Sequence, residues 1–351
     1  MDGIFKKVVI VGPDCRAIGG IASVISSYRQ HIDGLSFIKS NSRHGFICGV
    51  VNLIGLLFRL PFARISGRKI LHIHSASGKS FVRKSIIVLW GRAFGFKIVF
   101  HCHGAMMKEY VDRVGVSRVR NILERCDVVI VLSQIWKDWF EQTFNLRNVK
   151  QLNNTISIVP QRIINKKQPG KIRFLFLGEI CERKGVWDLV EVAKMLNRDF
   201  YGKFEIVIGG GGEKDRLSTE ISDSGLEDVV KPAGWITGPA KMEYLGNADV
   251  MVLPSYAEGL PISILEGCAF GLPAISTTVG SIPDIIKDGN NGILIAPGDV
   301  EALATAMRKF IENPSLIESY SDNALKAFAP YAIHEVKEKL RSIYENVLLQ
   351  E

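Results

Sequence analysis

Ser255-Tyr256-Ala257-Glu258-Gly259-Leu260-Pro261-Ile262-Ser263-Ile264-Leu265-Glu266-Gly267 is the stretch on which the reading of this chain turns. Ahead of it, Ala248 to Leu253 is an apolar run short enough to be a buried parallel strand. Pro254 stops the strand, and Pro261 suits the first turn of a helix, where its missing N–H would have had no partner. Glu258-Gly259-Leu260 therefore sits in a strand-to-helix loop, on the edge where open α/β sheets bind ligands. Glu266 follows about 7–8 Å further along the helix. Ionised carboxylates only accept hydrogen bonds, so two of them can hold vicinal hydroxyls on different parts of one ligand. A solvated loop and helix surface would show either residue alone. Glu266, however, is flanked by Leu265, Gly267, Cys268, Ala269 and Phe270, which makes it a carboxylate on an apolar helix.

At 351 residues, 47% hydrophobic and 23% charged, the chain suits two globular domains. The net charge of +8 points to an acidic partner: nucleotide, nucleic acid or membrane. Six cysteines are scattered without metal-ligand spacing, as expected of reduced, buried thiols inside the cell. Lys6-Lys7 precedes only five apolar positions, too few for a signal peptide.

Val8 to Gly12 reads as the first buried strand, with Gly19-Gly20 opening a helix through about His31. These glycines let a backbone approach a phosphate or make a simple turn, but Gly12, Gly19 and Gly20 do not make the dinucleotide fingerprint. No acidic residue occurs from Gly34 to Lys108, whereas lysine and arginine recur throughout, as on a basic face. Within it, Phe46 to Phe58 is uncharged and too short to span a bilayer. It is either a core helix or an interfacial segment whose neighbours Arg59, Arg64, Arg68 and Lys69 meet anionic headgroups. Lys79, Arg83 and Lys84 precede an apolar run on a further helix and extend the second alternative. No nucleic-acid-binding motif is present.

Lys97 to Phe100 is a strand leading into His101-Cys102-His103-Gly104. His101 and His103 face one side of a strand, but no third metal ligand lies close in sequence. Asp127 to Leu132 is the next strand, with Ser133 capping a helix, and Gln161 to Gly170 is the linker candidate. The second half restarts with the strand Ile172–Leu177, Gly178, the Arg183-Lys184 pair and a helix from Val186. Arg and Lys at such a loop can neutralise a diphosphate, one with a planar fork and the other as a point charge. Gly209 to Gly212 makes either a turn close to a ligand or a flexible surface turn. Ile333 to Leu349 is a final amphipathic helix.

Glu258 and Glu266, with Gly-Leu-Pro after the first, resemble the E-x7-E element of retaining glycosyltransferases of family 4. The similarity continues through Gly271-Leu272-Pro273, Thr277 to Gly280, Asn291-Gly292 and Pro297-Gly298-Asp299, and is densest from Phe174 to Ala306. It implies the α/β GT-B fold, two doubly wound Rossmann-like domains facing a central cleft. The expected parts are an acceptor-side domain over 1–165, a nucleotide-sugar domain over 166–330, and a helix over 331–351 crossing back to the first.

By the same resemblance, Lys184 and Arg183 stabilise the leaving diphosphate, Glu258 holds the sugar and His103 contacts its other side. Gly20, Gly178, Ile236, Gly259, Leu260, Pro261 and Glu266 complete the donor site, with Glu266 on the ribose. Many family members carry Arg where this chain has Glu179, and Asn-Gly or Gly where it has Thr155 and Ser281. No Asp-x-Asp occurs, so no metal or other cofactor is expected. The expected activity is metal-independent retaining transfer from a UDP- or GDP-sugar to a saccharide or a polyprenyl-diphosphate-linked acceptor in bacterial surface polysaccharide assembly. No nucleic acid is expected as a partner. The location implied is the cytoplasm, with an anionic membrane surface as a further partner on the inner face. Two alternatives stay open: a nucleotide-sugar epimerase of the same fold, and a nucleotide-sugar-binding assembly protein whose transfer activity has decayed, which Glu179 favours.

Overall fold

In a computed structural model, residues 2–15, 17, 19–40, 46–158 and 170–349 are described. Two compact units divide the chain: Met1–Ser157 with Pro330–Glu351, and Ile158–Ala329. Of the expected linker, residues 161–169 lie outside the described residues.

The first unit holds a six-stranded sheet of β1 (Val8–Gly12), β2 (Ser36–Lys39), β3 (Ile70–Ser75), β4 (Lys97–Cys102), β5 (Val128–Val131) and β6 (Val149–Gln151), in the order 2-1-3-4-5-6. All its pairings are parallel. β1, β3 and β5 are buried at every position; β1 and β5 accordingly read as unbroken apolar runs, whereas β3 alternates histidine with isoleucine. Between the strands run α1 (Gly20–His31), α2 (Phe46–Ile65), α3 (Lys79–Ala93), α4 (Met107–Val114), α5 (Val116–Leu123) and α6 (Gln134–Phe144). Ser133 starts α6, its hydroxyl accepting from the Trp136 N–H.

The second unit holds β7 (Ile172–Leu177), β8 (Phe204–Gly209), β9 (Val230–Gly234), β10 (Val250–Leu253), β11 (Ala274–Thr277) and β12 (Gly292–Ile295), all parallel. Read along the sheet from β9, their order is 3-2-1-4-5-6, the doubly wound arrangement in which chain order reverses between the first and fourth strands. Its helices are α7 (Val186–Asp199), α8 (Lys214–Asp223), α9 (Gly238–Asn247), α10 (Ile262–Ala269), α11 (Ile282–Ile285), α12 (Val300–Glu312) and α13 (Ser315–Phe328). α10 begins at Ile262, so Pro261 is its extended cap residue rather than a member of the first turn.

The last helix, α14 (Ile333–Leu349), belongs to the first unit and packs on α1 and on the N-terminal turn Asp2–Lys7. Its buried side is Val336, Leu340, Tyr344 and Val347; the Tyr344 ring stands edge-on to Phe5, with centroids 6.1 Å apart. Thr155 secures the return, donating to the Tyr331 carbonyl at 2.8 Å.

α2 has a face for each expected reading: Leu56 and Leu60 are buried, while Phe58, Phe62 and Ile65 are exposed. One expectation about the basic face needs correction. Lys84 is not on a surface at all. It is buried beneath α3 and donates to the Ser40 hydroxyl, and burial followed by the charge of Arg83 lowers its pKa to about 7. A helix turn of lysine and arginine looks the same in sequence whether one member points outward or into the sheet.

Candidate functional site

In the second unit, the loops leaving β7 and β10 lie side by side where the strand order reverses, the place at which such sheets bind ligands. The β7 loop closes with a 3-10 turn over Glu182–Lys184, and the two loops are stitched by backbone. The Tyr256 N–H donates to the Arg183 carbonyl at 2.9 Å, and the Arg183 guanidinium to the Ala257 carbonyl at 3.0 Å. This fixes Lys184 against Glu258, Nζ to Oε1 at 2.5 Å, and the Ser255 hydroxyl donates to the same oxygen at 2.7 Å. With side chains 13% and 7% exposed, neither charge is well solvated, so each depends on the other. A third loop braces the pair. Gly280 has φ 57°, and a Cβ there would stand 2.0 Å from the Glu258 carbonyl oxygen, so only glycine fits. The adjoining Ser281 N–H donates to the Gly259 carbonyl at 2.9 Å.

The other donor-side residues are placed individually. Glu266 is buried in α10 and paired at 2.8 Å with Lys241 of α9; burial raises its pKa, partly offset by that lysine. Leu260 is buried and Pro261 caps α10. The Gly178 N–H donates to the Gly209 carbonyl, and the Ile236 side chain is buried close over Gly209. The run Gly209–Gly212 lies against a second loop of the same unit. A Cβ on Gly210 would lie 2.0 Å from the Gly178 oxygen, and one on Gly212 would lie 2.5 Å from that of Ile180. These glycines let two loops pair by backbone, with an isolated bridge between Ile180 and Gly212. Glu179, where the resemblance expects arginine, accepts from Arg183 at 3.5 Å and is largely exposed.

In the first unit, Gly20 is the exposed first residue of α1. His103 belongs to a row of four histidines that parallel pairing of β3 and β4 assembles, with His74 opposite His101. His72 Nδ1 lies 2.6 Å from the Tyr344 hydroxyl, His72 Nε2 lies 3.3 Å from His101 Nδ1, and His74 Nδ1 lies 2.9 Å from His103 Nε2. Nε2 of both His74 and His101 is buried with no hydrogen-bond partner among the described residues. Burial pushes every member down: His72 and His103 to about 3, His74 and His101 well below the usual imidazole range, with neighbouring histidines contributing to the shifts of His72, His74 and His101. For His103, Asn154 pulls weakly the other way.

The sequence offered no third ligand near His101 and His103; the neighbouring strand brings His72 and His74 instead. Ring nitrogens of His72, His74 and His101 lie within 4.8 Å of one another. Their rings are layered, His72 over His74 at 22° and over His101 at 15°. An imidazole lone pair lies in its ring plane, so layered rings aim theirs side by side rather than at one point. As arranged, this is a hydrogen-bonded stack rather than a converging ligand set.

The structure thus unites Lys184, Arg183, Glu258 and Gly259 with Ser255, which the sequence reading passed over. It pairs Glu266 with Lys241, also missed: no motif marks a lysine on a separate helix. The alternation in His72-Ile73-His74 was the available signal for the histidine row, since residues two apart share a strand face.

Residues 159–327 match the sequence profile of glycosyl transferases group 1. Among curated relatives, the 2-deoxystreptamine N-acetyl-D-glucosaminyltransferase of Niallia circulans is 33% identical over 170 residues, 47% of this chain and 43% of that protein. The amylovoran biosynthesis glycosyltransferase AmsK of Erwinia amylovora is 34% identical over 143 residues, 39% of this chain and 35% of that one. The chain therefore spans less than half the length of these two relatives. Among solved structures, Anabaena HepE, crystallised with UDP-glucose, superposes with a TM-score of 0.73 at 17% identity, covering 97% of this chain and 98% of that one. At that identity the likeness speaks for the fold, which is GT-B. Residues 159–327, just under half of the chain, thus carry its similarity to glycosyl transferases group 1.

Proposed function

We propose that this protein is a nucleotide-sugar glycosyltransferase of polysaccharide biosynthesis. The observation that carries the reading is the Lys184–Glu258 pair, buried at the strand-order reversal of the domain that matches the family. Without donor, each partner neutralises the other. A nucleoside diphosphate sugar brings a replacement for both: phosphate oxygens for the ammonium, hydroxyls for the carboxylate. Lys184 then faces the bridging and terminal phosphate oxygens, where negative charge grows as the glycosidic bond breaks, and preorganised positive charge contributes most there. Glu258, with Ser255 donating to it, accepts from sugar hydroxyls. Arg183 is held by Ala257 and Glu179, which leaves Lys184 as the principal cation.

The finer assignments rest on resemblance. They give Glu266 the ribose hydroxyls, with Lys241 holding its carboxylate ionised, and give the base to backbone groups near Ile236. The backbones of Gly178, Gly259, Leu260 and Pro261 line the same donor, and Gly20 and His103 of the first unit are assigned to it on resemblance alone. Transfer is metal-independent and retaining, by attack on the face the phosphate leaves, with no protein nucleophile. The donor is a UDP-sugar, the ligand class crystallised with HepE. The acceptor is a saccharide hydroxyl on a polyprenyl-diphosphate carrier.

UDP at one hundred times its Kd should raise the melting temperature of the second unit by about 5–10 °C, with GDP giving less. Incubation with radiolabelled UDP-sugars should release UDP, and transfer should appear when a lipid-linked saccharide is added. No stabilisation by any nucleotide and no donor turnover would end the reading. Chelator should leave turnover unchanged; a loss restored by Mg²⁺ or Mn²⁺ would show that Lys184 does not replace a metal.

A further inference from the structure

The first unit leaves an apolar surface uncovered. On α2, Val51, Ile54, Phe58, Phe62 and Ile65 are exposed by 63, 49, 69, 72 and 83%. Their spacing of three and four residues makes one stripe, on the side away from buried Leu56 and Leu60. α3 repeats the pattern: Ile87 and Val88 point into the core, while Val82, Ile86, Leu89 and Trp90 are exposed. The two helices are neighbours. The Trp90 indole N–H donates to the Leu57 carbonyl at 2.9 Å, and Arg64 donates to the Gly95 carbonyl at 3.3 Å. Soluble monomers rarely leave a contiguous apolar patch above a few hundred Å². The outer faces of these neighbouring helices together expose these nine large apolar side chains.

The surrounding charge says what covers it. Between Gly34 and Lys108 there is no carboxylate, while Arg59 stands exposed to one side of the α2 stripe and Lys79 at the start of α3. Arg59 also lines a cavity of about 210 Å³ with Arg29 and Lys39, three cations beside Asp14, at the carboxyl ends of β1 and β2. Not every cation of the segment is available: Lys84 is buried, Arg68 is tied to the Val8 and Gly34 carbonyls, and Arg92 pairs with Asp127. A two-fold dimer through this face would set cation against cation with no acidic residue of the segment to relieve them. An anionic bilayer supplies both missing partners, hydrocarbon for the stripes and phosphate for the rim. Trp90 exposes apolar ring surface while its N–H is satisfied by the Leu57 carbonyl, so burying that ring in lipid strands no donor. Among the described residues no helix is long and apolar enough to cross a membrane, so the helices lie on it.

We propose that the paired outer faces of α2 and α3 are a membrane-docking surface selective for anionic phospholipid. It goes beyond the transfer chemistry of the second unit and stands without it.

The test is flotation of the intact protein with vesicles of phosphatidylcholine, alone or with about 30 mol% phosphatidylglycerol, at ~0.1 and ~0.5 M salt. At least tenfold more protein should float with the anionic vesicles, and less at high salt. Phe58→Ser with Phe62→Ser should lower flotation at least tenfold while the melting temperature and the UDP-linked shift stay as in wild type, since both rings are on the surface. Brominated lipid should quench a fluorescence component that Trp90→Phe removes. Equal flotation with neutral vesicles, a double variant that floats like wild type, or light scattering that shows a wild-type dimer split by the double variant would each overturn the proposal. The last would make the face an interface between copies.

Discussion

Acidification should unfold the first unit well before the pH range in which carboxylates titrate. Four histidines are held neutral by burial, His72 and His103 down to about 3 and His74 and His101 well below 6.5. A group whose pKa is lower folded than unfolded binds its proton more readily in the unfolded chain. Stability is therefore intact above 6.5 and is lost as pH falls from there towards about 3. His72 and His103 each cost about 1.4 kcal/mol per pH unit within that window, and His74 and His101 act in the same direction, against a typical total of 5–15. Lys84 acts in the same direction at higher pH. With its pKa lowered from 10.5 to about 7, stability declines as pH falls through that interval. Urea titrations from pH 9 to 4.5, followed by hydrogen exchange in the two units separately, should show the first unit losing protection near pH 5 while the second retains it. A first unit equally stable at pH 7.5 and 5 would mean that the histidines are protonated in the fold, contrary to their packing.

Lys184→Ala should lower turnover by about 10²–10³, the loss that follows removal of one transition-state charge stabiliser. It should also destabilise the second unit without ligand by about 3–5 kcal/mol, because Glu258 is left buried with only Ser255 to satisfy it. A second substitution separates these effects. Adding Glu258→Gln to Lys184→Ala removes the orphaned charge, so melting temperature should recover most of its loss while turnover stays low. Lys184→Arg should keep stability and restore part of the rate. If the single variant turned over like wild type while losing stability, the pair would be a structural ion pair and the diphosphate would be held elsewhere.

Much of the second unit was legible in one dimension. Apart from β9 and β12, its strands are largely buried on both faces and so appear as short apolar runs; its strand-to-helix loops carry glycine, proline and charge. Ile172–Leu177, the helix from Val186, the loop at Glu258 and the helix through Glu266 fall where those signals put them. The charge asymmetry of Gly34 to Lys108 was equally plain. What it meant was not, because a run of lysines and arginines does not say which of them turn inward, as Lys84 does, or which are tied to carbonyls, as Arg68 is.

From the amino acids alone came the class of fold, the two-part layout and the identity of the charged groups that meet at β7 and β10, because these depend on local periodicity, turn chemistry and spacing along the chain. Only three-dimensional packing decided who neutralises whom: Lys184 with Glu258, Lys241 with Glu266, and four imidazoles stacked from two strands about thirty residues apart. The reason is physical. Pairing across a sheet and burial beneath a helix are set by strand register and by which face turns inward, and neither is written in any short stretch of sequence.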